Sequence, residues 1–248
     1  HALDRRQRQM CIRDRYDSVT VDIQHGALDY SDVLPMFQAM QSSGATLMAR
    51  VPWRDPGYIM KALDVGAMGI ICPMINNSEE AAEFISYMRY PPLGQRSFGP
   101  TRVAVSVPDY GVESNDEVLA FAMIETADGV QNLEAIAATA GLDGIYVGPA
   151  DLTLGTQLGR LAPGLDRTED EMVTLIQKVA SVCKEYGLIA GIHCGTAEYA
   201  SKAIGWGYNL TTIGGDTRLL ASAAAASVSS WRKLTGRKEK AQVTGGVY

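Results

Sequence analysis

From Tyr16 onward, short runs of β-branched and apolar residues alternate with stretches in which apolar positions return every three or four residues. The short runs predict strands and the longer periodic stretches predict helices, so the alternation predicts βα units and a parallel sheet. Strands are expected at 18–23, 46–51, 69–72, 119–125, 144–147, 188–192 and 209–213. Local chemistry marks the helices between them. Asp55-Pro56 supplies a cap and a first-turn proline, and Asn77 with Glu80 supplies a cap with a first-turn carboxylate. Thr168 and Glu171 have capping-box spacing ahead of a helix with Val173, Ile176, Val179 or Ala180, and Cys183 on one face, closed by Gly187. The Ala-rich stretch after Asp216 predicts a terminal packing helix.

Seven strands are one short of an eight-stranded (β/α) barrel. The expected fold is therefore α/β, a (β/α)8 TIM barrel lacking its first βα unit. The opening HALDRRQRQMCIRDR, residues 1–15, stands where that unit should be; it is dense in Arg and Gln, has no apolar period and stops abruptly at Tyr16. It reads as a non-native or disordered leader, and 16–248 as a single barrel domain. A doubly wound open sheet is the main alternative, but no GxGxxG follows any predicted strand, so a dinucleotide site lacks support.

Composition narrows the function. A net charge of −6 argues against nucleic acid as a partner, because phosphate recognition needs clustered Lys and Arg. No apolar run approaches the roughly 18 residues that a membrane span requires, and no signal pattern opens the chain, so no membrane partner and a cytoplasmic location are expected. Cys11, Cys72, Cys183 and Cys194 show no CxxC spacing and read as reduced thiols. A small soluble ligand remains.

In a barrel the chemistry gathers at the carboxyl ends of the strands, where four polar residues emerge: His25, Arg50, Glu125 and Asp151. Glu125 directly follows an apolar strand, where a charge is costly unless it is paired or binds a cation. Asp151 follows the Gly148-Pro149-Ala150 turn; alone it could merely cap a helix, but beside Glu125 it completes a pair of hard oxygen ligands suited to Mg²⁺ or Mn²⁺. His25 at a strand end suits a base, whereas elsewhere it would read as an ordinary surface histidine. Arg50 could pair with Asp22 or Asp64, and a fixed guanidinium there also suits a carboxylate or a developing enolate oxygen. His193 and Cys194 end another strand and read as lining residues.

The phrases VDIQHG, MARVPWRDP, KALDVGAMGIICPM, RYPPLGQRSFG, MIET, LDGIYVGPADL and IGGDTRLLA, in that order, resemble the 4-hydroxy-2-oxoheptanedioate aldolases of the HpcH/HpaI aldolase/citrate lyase family, from about Tyr16 to the final GGVY. The resemblance implies a barrel of the phosphoenolpyruvate/pyruvate type, commonly hexameric, whose divalent metal (Mg²⁺, Mn²⁺ or Co²⁺) serves reversible cleavage to pyruvate and a small aldehyde. It implies Glu125 and Asp151 as metal ligands, His25 as catalytic histidine, Asp64 as the carboxylate that orients it, and Arg50 as enolate stabiliser. It places pyruvate's carboxylate on the backbone of Gly148, Pro149, Ala150 and Asp151. None of the strand ends singled out carries a Schiff-base lysine.

Three departures stand out. The first βα unit is absent or replaced, Met123 stands where many relatives have Gln, and His193 occupies a usually aliphatic position on the acceptor side, leaving the aldehyde preference open. Two other functions compete: a lyase acting on a malyl thioester or citrate-like substrate, and a catalytically silent assembly subunit. The first would need contacts for a thioester carrier, which no segment suggests; the second would not need to keep His25, Arg50, Glu125 and Asp151 together.

Overall fold

The computed structural model describes residues 16–238; the leader, Cys11 and the final GGVY lie outside them. All seven expected strands form: β1 Ser18–Asp22, β2 Thr46–Arg50, β3 Gly69–Cys72, β4 Leu119–Ile124, β5 Gly144–Val147, β6 Ile189–Cys194 and β7 Leu210–Ile213. They pair in parallel in sequence order as one seven-stranded sheet. The helices are α1 Tyr30–Met40, α2 Pro56–Asp64, α3 Ser78–Met88, α4 Val103–Ser106, α5 Ala127–Gln131, α6 Leu133–Ala137, α7 Pro149–Gln157, α8 Asp170–Tyr186, α9 Ala197–Gly205 and α10 Asp216–Leu234.

The caps at Asp55 and Asn77 form as expected, their side chains accepting from the backbone N–H groups of Tyr58 and Glu80. The Thr168 capping box does not form. Helix α8 begins at Asp170 with Glu169 as its cap residue and no side-chain cap bond. The buried Arg167 binds the Glu169 carboxylate at 3.1 and 2.6 Å, and that pair displaces the helix start. Gly187 closes α8 at φ 70°, as expected.

Alternation along the strands builds two cores. Outward-facing Ala49, Ile70, Ala122, Ile124, Ile145, Val147 and Ile192 pack with the helices, and inward-facing Met48, Ile71, Phe121, Met123 and Tyr146 fill the concave side. Strands β3 and β5 are buried at every position, whereas every residue of β7 and most of β1 stay partly exposed. Among the described residues nothing pairs β1 with β7. Buried Arg89, at the end of α3, ties the starts of β4 and β5 together by donating to the Val118 carbonyl at 2.6 Å and to Asp143 at 2.8 Å.

The helix expected after Asp216 forms, but among the described residues it is not covered. Helix α10 forms, but none of its residues is buried, and Leu220 is 73% and Trp231 49% exposed. Among the described residues nothing buries its apolar positions. Among the described residues no helix is long and apolar enough to cross a membrane.

Candidate active site

The strand register assembles the site. Met48 and Phe121 face inward, so Arg50 and Glu125, two and four residues further along, face inward at the carboxyl end. Glu125 is 1% exposed. One of its oxygens accepts a hydrogen bond from the Met74 N–H at 2.8 Å; the other, Oε2, is buried with no partner. Met74 holds a left-handed φ of 58°, a strained conformation for a non-glycine residue, and this aims its N–H at the carboxylate. Asn76 secures that turn by donating to the Met74 carbonyl at 2.9 Å and by accepting from the Thr126 hydroxyl. Burial pushes the Glu125 carboxyl up, the charge of Asp151 adds to it, and the Met74 N–H and Arg50 oppose, leaving it at about 7.

Asp151 lies in the first turn of α7, whose cap is Gly148; no side chain caps this helix. A Cβ at position 148 would stand 2.6 Å from Glu125 Oε2 and 2.4 Å from Met123 Cε, so only glycine lets the turn approach the carboxylate. The first-turn N–H groups of Ala150 and Asp151 have no acceptor within the helix, while Pro149 has no N–H at all.

Across the site, Arg50 binds Asp22 in a two-point ion pair, Nε to Oδ1 at 2.9 Å and Nη2 to Oδ2 at 2.5 Å. Asp22 Oδ1 also accepts from the backbone N–H of Gln24 and of His25, at 3.1 and 3.3 Å, so the same carboxylate orients the arginine and the loop carrying the exposed His25. Burial opposes ionisation of Asp22, but Arg50 and these N–H groups outweigh it and hold its carboxyl below the usual range.

Asp64, expected to orient His25, has Arg96 as its ion-pair partner. It ends α2, which runs back from the carboxyl end of β2 toward the start of β3, and it pairs at 2.8 Å with the fully enclosed Arg96. Arg96 also donates to the Tyr110 hydroxyl at 2.9 Å and stacks 4.5 Å from the centre of the Tyr90 ring. His193 and Cys194 point to opposite faces: His193 bonds Thr212 on the inner side, whereas Cys194 belongs to the outer core with its thiol raised by burial to about 12. Cys72 and Cys183 are likewise buried and free.

Sequence reasoning missed Met74, Asn76, Tyr146 and Thr212. Only Tyr146, a polar-tipped residue in an otherwise apolar strand, left a trace. Among the described residues no group of three or more His, Cys, Asp or Glu converges on a possible metal position.

The family model of the HpcH/HpaI aldolase/citrate lyases matches residues 7–223. The chain belongs to this family. It is 37% identical over 220 residues to a hydroxypyruvate/pyruvate aldolase from Rhizorhabdus wittichii, covering 88% of this chain and 86% of that one. It is 31% identical over 221 residues to a 5-keto-4-deoxy-D-glucarate aldolase from Klebsiella pneumoniae, covering 88% and 84%. The crystal structure of an HpcH/HpaI aldolase/citrate lyase family protein from Burkholderia cenocepacia superposes with a TM-score of 0.83 at 28% identity, covering 94% of this chain and 91% of that one. Membership makes this HpcH/HpaI protein a carbon-carbon lyase.

Proposed function

We propose that the protein is a divalent-metal-dependent aldolase that reversibly cleaves a 4-hydroxy-2-oxoacid to pyruvate and a small aldehyde. The observation that carries this reading is Glu125: a buried carboxylate with one oxygen fixed by Met74 and the other unpartnered, beside Asp151 and within the field of Arg50. An unpaired buried carboxylate oxygen is costly, and a cation satisfies it. Glu125 and Asp151 would hold Mg²⁺, Mn²⁺ or Co²⁺, leaving positions for water and substrate. When bound, such a cation withdraws electron density from the keto and carboxylate oxygens of pyruvate.

The remaining work falls to the chain. The first-turn N–H groups of Ala150 and Asp151 receive pyruvate's carboxylate at the amino end of α7, brought close by Gly148 and Pro149. In cleavage His25 takes the proton of the hydroxyl on carbon four, the bond between carbons three and four breaks, and its electrons form the enolate of pyruvate. Arg50, held rigid by Asp22, stabilises the negative charge on the enolate oxygen. Protonation at carbon three releases pyruvate, and His193 lines the side toward the departing aldehyde. The reading includes a barrel of the phosphoenolpyruvate/pyruvate type, a single domain, a cytoplasmic location and a homo-oligomer, hexameric by resemblance.

The test is pyruvate release from a panel of 4-hydroxy-2-oxoacids. Release is expected only with Mg²⁺, Mn²⁺ or Co²⁺ present and is expected to vanish in Glu125→Ala. Undiminished release in excess chelator, or in that variant, would sink the mechanism.

A further inference from the structure

On the inner wall beside the Gly148 turn, three side chains from β5, β6 and β7 form one hydrogen-bonded chain. The Tyr146 hydroxyl lies 3.1 Å from Thr212 Oγ1, which lies 2.8 Å from His193 Nδ1. Room for this chain is made by Gly191, where a Cβ would stand 2.6 Å from the Tyr146 ring.

The direction of the hydrogens follows from the charges. Tyr146 is 3% exposed, and burial raises its phenol, so it stays protonated. The Arg50 cation acts on the phenol oxygen, which therefore turns its hydrogen away from Arg50 and toward Thr212. Thr212 has one hydrogen of its own. The Ile192 carbonyl is 3.5 Å away, against 2.8 Å for His193 Nδ1, so the hydrogen goes to the imidazole. Nδ1 is thereby an acceptor and the single proton of the neutral ring sits on Nε2. The groups around His193 keep it neutral: burial first, then the Arg50 cation, lower it to about 4, with Arg218 adding to this and Asp22 and Asp166 opposing. His193 is a fixed donor and leaves base chemistry to His25.

Its place decides what it donates to. Val147 pairs with Ile192, so His193 stands level with Gly148, one strand beyond the turn assigned to pyruvate's carboxylate and two strands from Glu125. We propose that His193, set as an Nε2–H donor by Thr212 and Tyr146, is a specificity-determining residue that selects aldehydes bearing an oxygen on the carbon next to the aldehyde carbon. This rests on the aldolase reading above. A site built around a donor rejects an analogue with no acceptor, because the donor then loses its partner.

The test is aldol addition of pyruvate, with Mg²⁺ and the full chain, to glycolaldehyde and to propanal, which have the same number of heavy atoms and differ in one oxygen. The wild type is expected to favour glycolaldehyde in kcat/KM, and His193→Leu to lower that preference roughly tenfold or more through glycolaldehyde alone. His193→Gln, which keeps an N–H donor, is expected to restore much of it. Thr212→Val, which removes a positioning residue, is expected to lower it partly, because the ring then takes either tautomer. The wild-type preference is expected to stay flat between about pH 6 and 8. An unchanged preference in His193→Leu, an equal fall for both aldehydes, or a preference that titrates across that range overturns the proposal. Exchange of pyruvate's methyl hydrogens in D₂O separates the two failures. Exchange with an unchanged preference overturns this inference alone, whereas loss of both exchange and addition in the wild type overturns the aldolase reading and this inference with it.

Discussion

Single side chains in this protein owe their chemistry to neighbours far away in sequence. Arg50 was a candidate for Asp22, for Asp64 or for substrate; the structure gives it Asp22, twenty-eight residues away, and gives Asp64 to Arg96. The Asp22 pair leaves the guanidinium facing inward, so it holds the arginine without withdrawing it from the site. Arg50→Lys keeps the charge but not the two-point geometry. It is expected to lower kcat/KM for pyruvate release by about 100-fold or more while leaving KM for the metal nearly unchanged, as steady-state kinetics at several metal concentrations would show. His193 supplies a prediction on stability. Its imidazole is lowered from 6.5 to about 4 on folding, so between those values the unfolded chain binds a proton that the folded one does not. The stability it contributes is therefore complete above about 6.5 and is lost as pH falls toward 4, by at most about 3 kcal/mol. Thermal unfolding of His193→Gln across that range is expected to show a shallower acid limb than the wild type; an identical limb would assign the acid sensitivity to other groups.

At the level of elements, the strands were legible and some helix ends were not. Alternation and β-branching placed all seven strands, with ends that differ from the expected ones by at most two residues. The caps at Asp55 and Asn77 were legible because cap and acceptor are neighbours in sequence. The Thr168 box has the same local pattern, yet Arg167 captures Glu169 and the box does not close. The strained Met74 turn carried no trace at all in CPMINN, since a positive φ is imposed there by the contacts of Asn76 and Glu125. The β5–α7 turn is the element most exposed to a small change. Gly148→Ala would drive a methyl into Glu125 Oε2 and Met123 Cε. Divalent-cation binding measured by calorimetry is expected to weaken at least tenfold, with the fold retained by circular dichroism; unchanged binding would show that the turn can retreat without moving the carboxylate.

At the scale of the whole molecule, the described chain leaves apolar surface at both ends of its sheet. The edge strands β1 and β7 are half exposed, and α10 carries Leu219, Leu220, Val228 and Trp231 in solvent. Such surface is a hallmark of association. If the protein forms the proposed homo-oligomer through α10, light scattering after gel filtration is expected to give a mass above one chain, and Leu220→Glu with Trp231→Glu to shift it downward. A wild-type mass of one chain would remove the oligomer from the proposal. What the sequence determined by itself was whatever depends on near neighbours and on period: the order of strands and helices, Glu125 at the end of one apolar strand and Asp151 on the turn after the next, and the family phrases. Only the tertiary structure decided which arginine meets which aspartate, that Glu125 keeps one oxygen unpartnered, and that His193 is wired to Tyr146 through Thr212. These contacts are set by strand register and by residues that the chain brings together from up to sixty-six positions apart, and a linear pattern holds no information on hydrogen-bond partners across such distances.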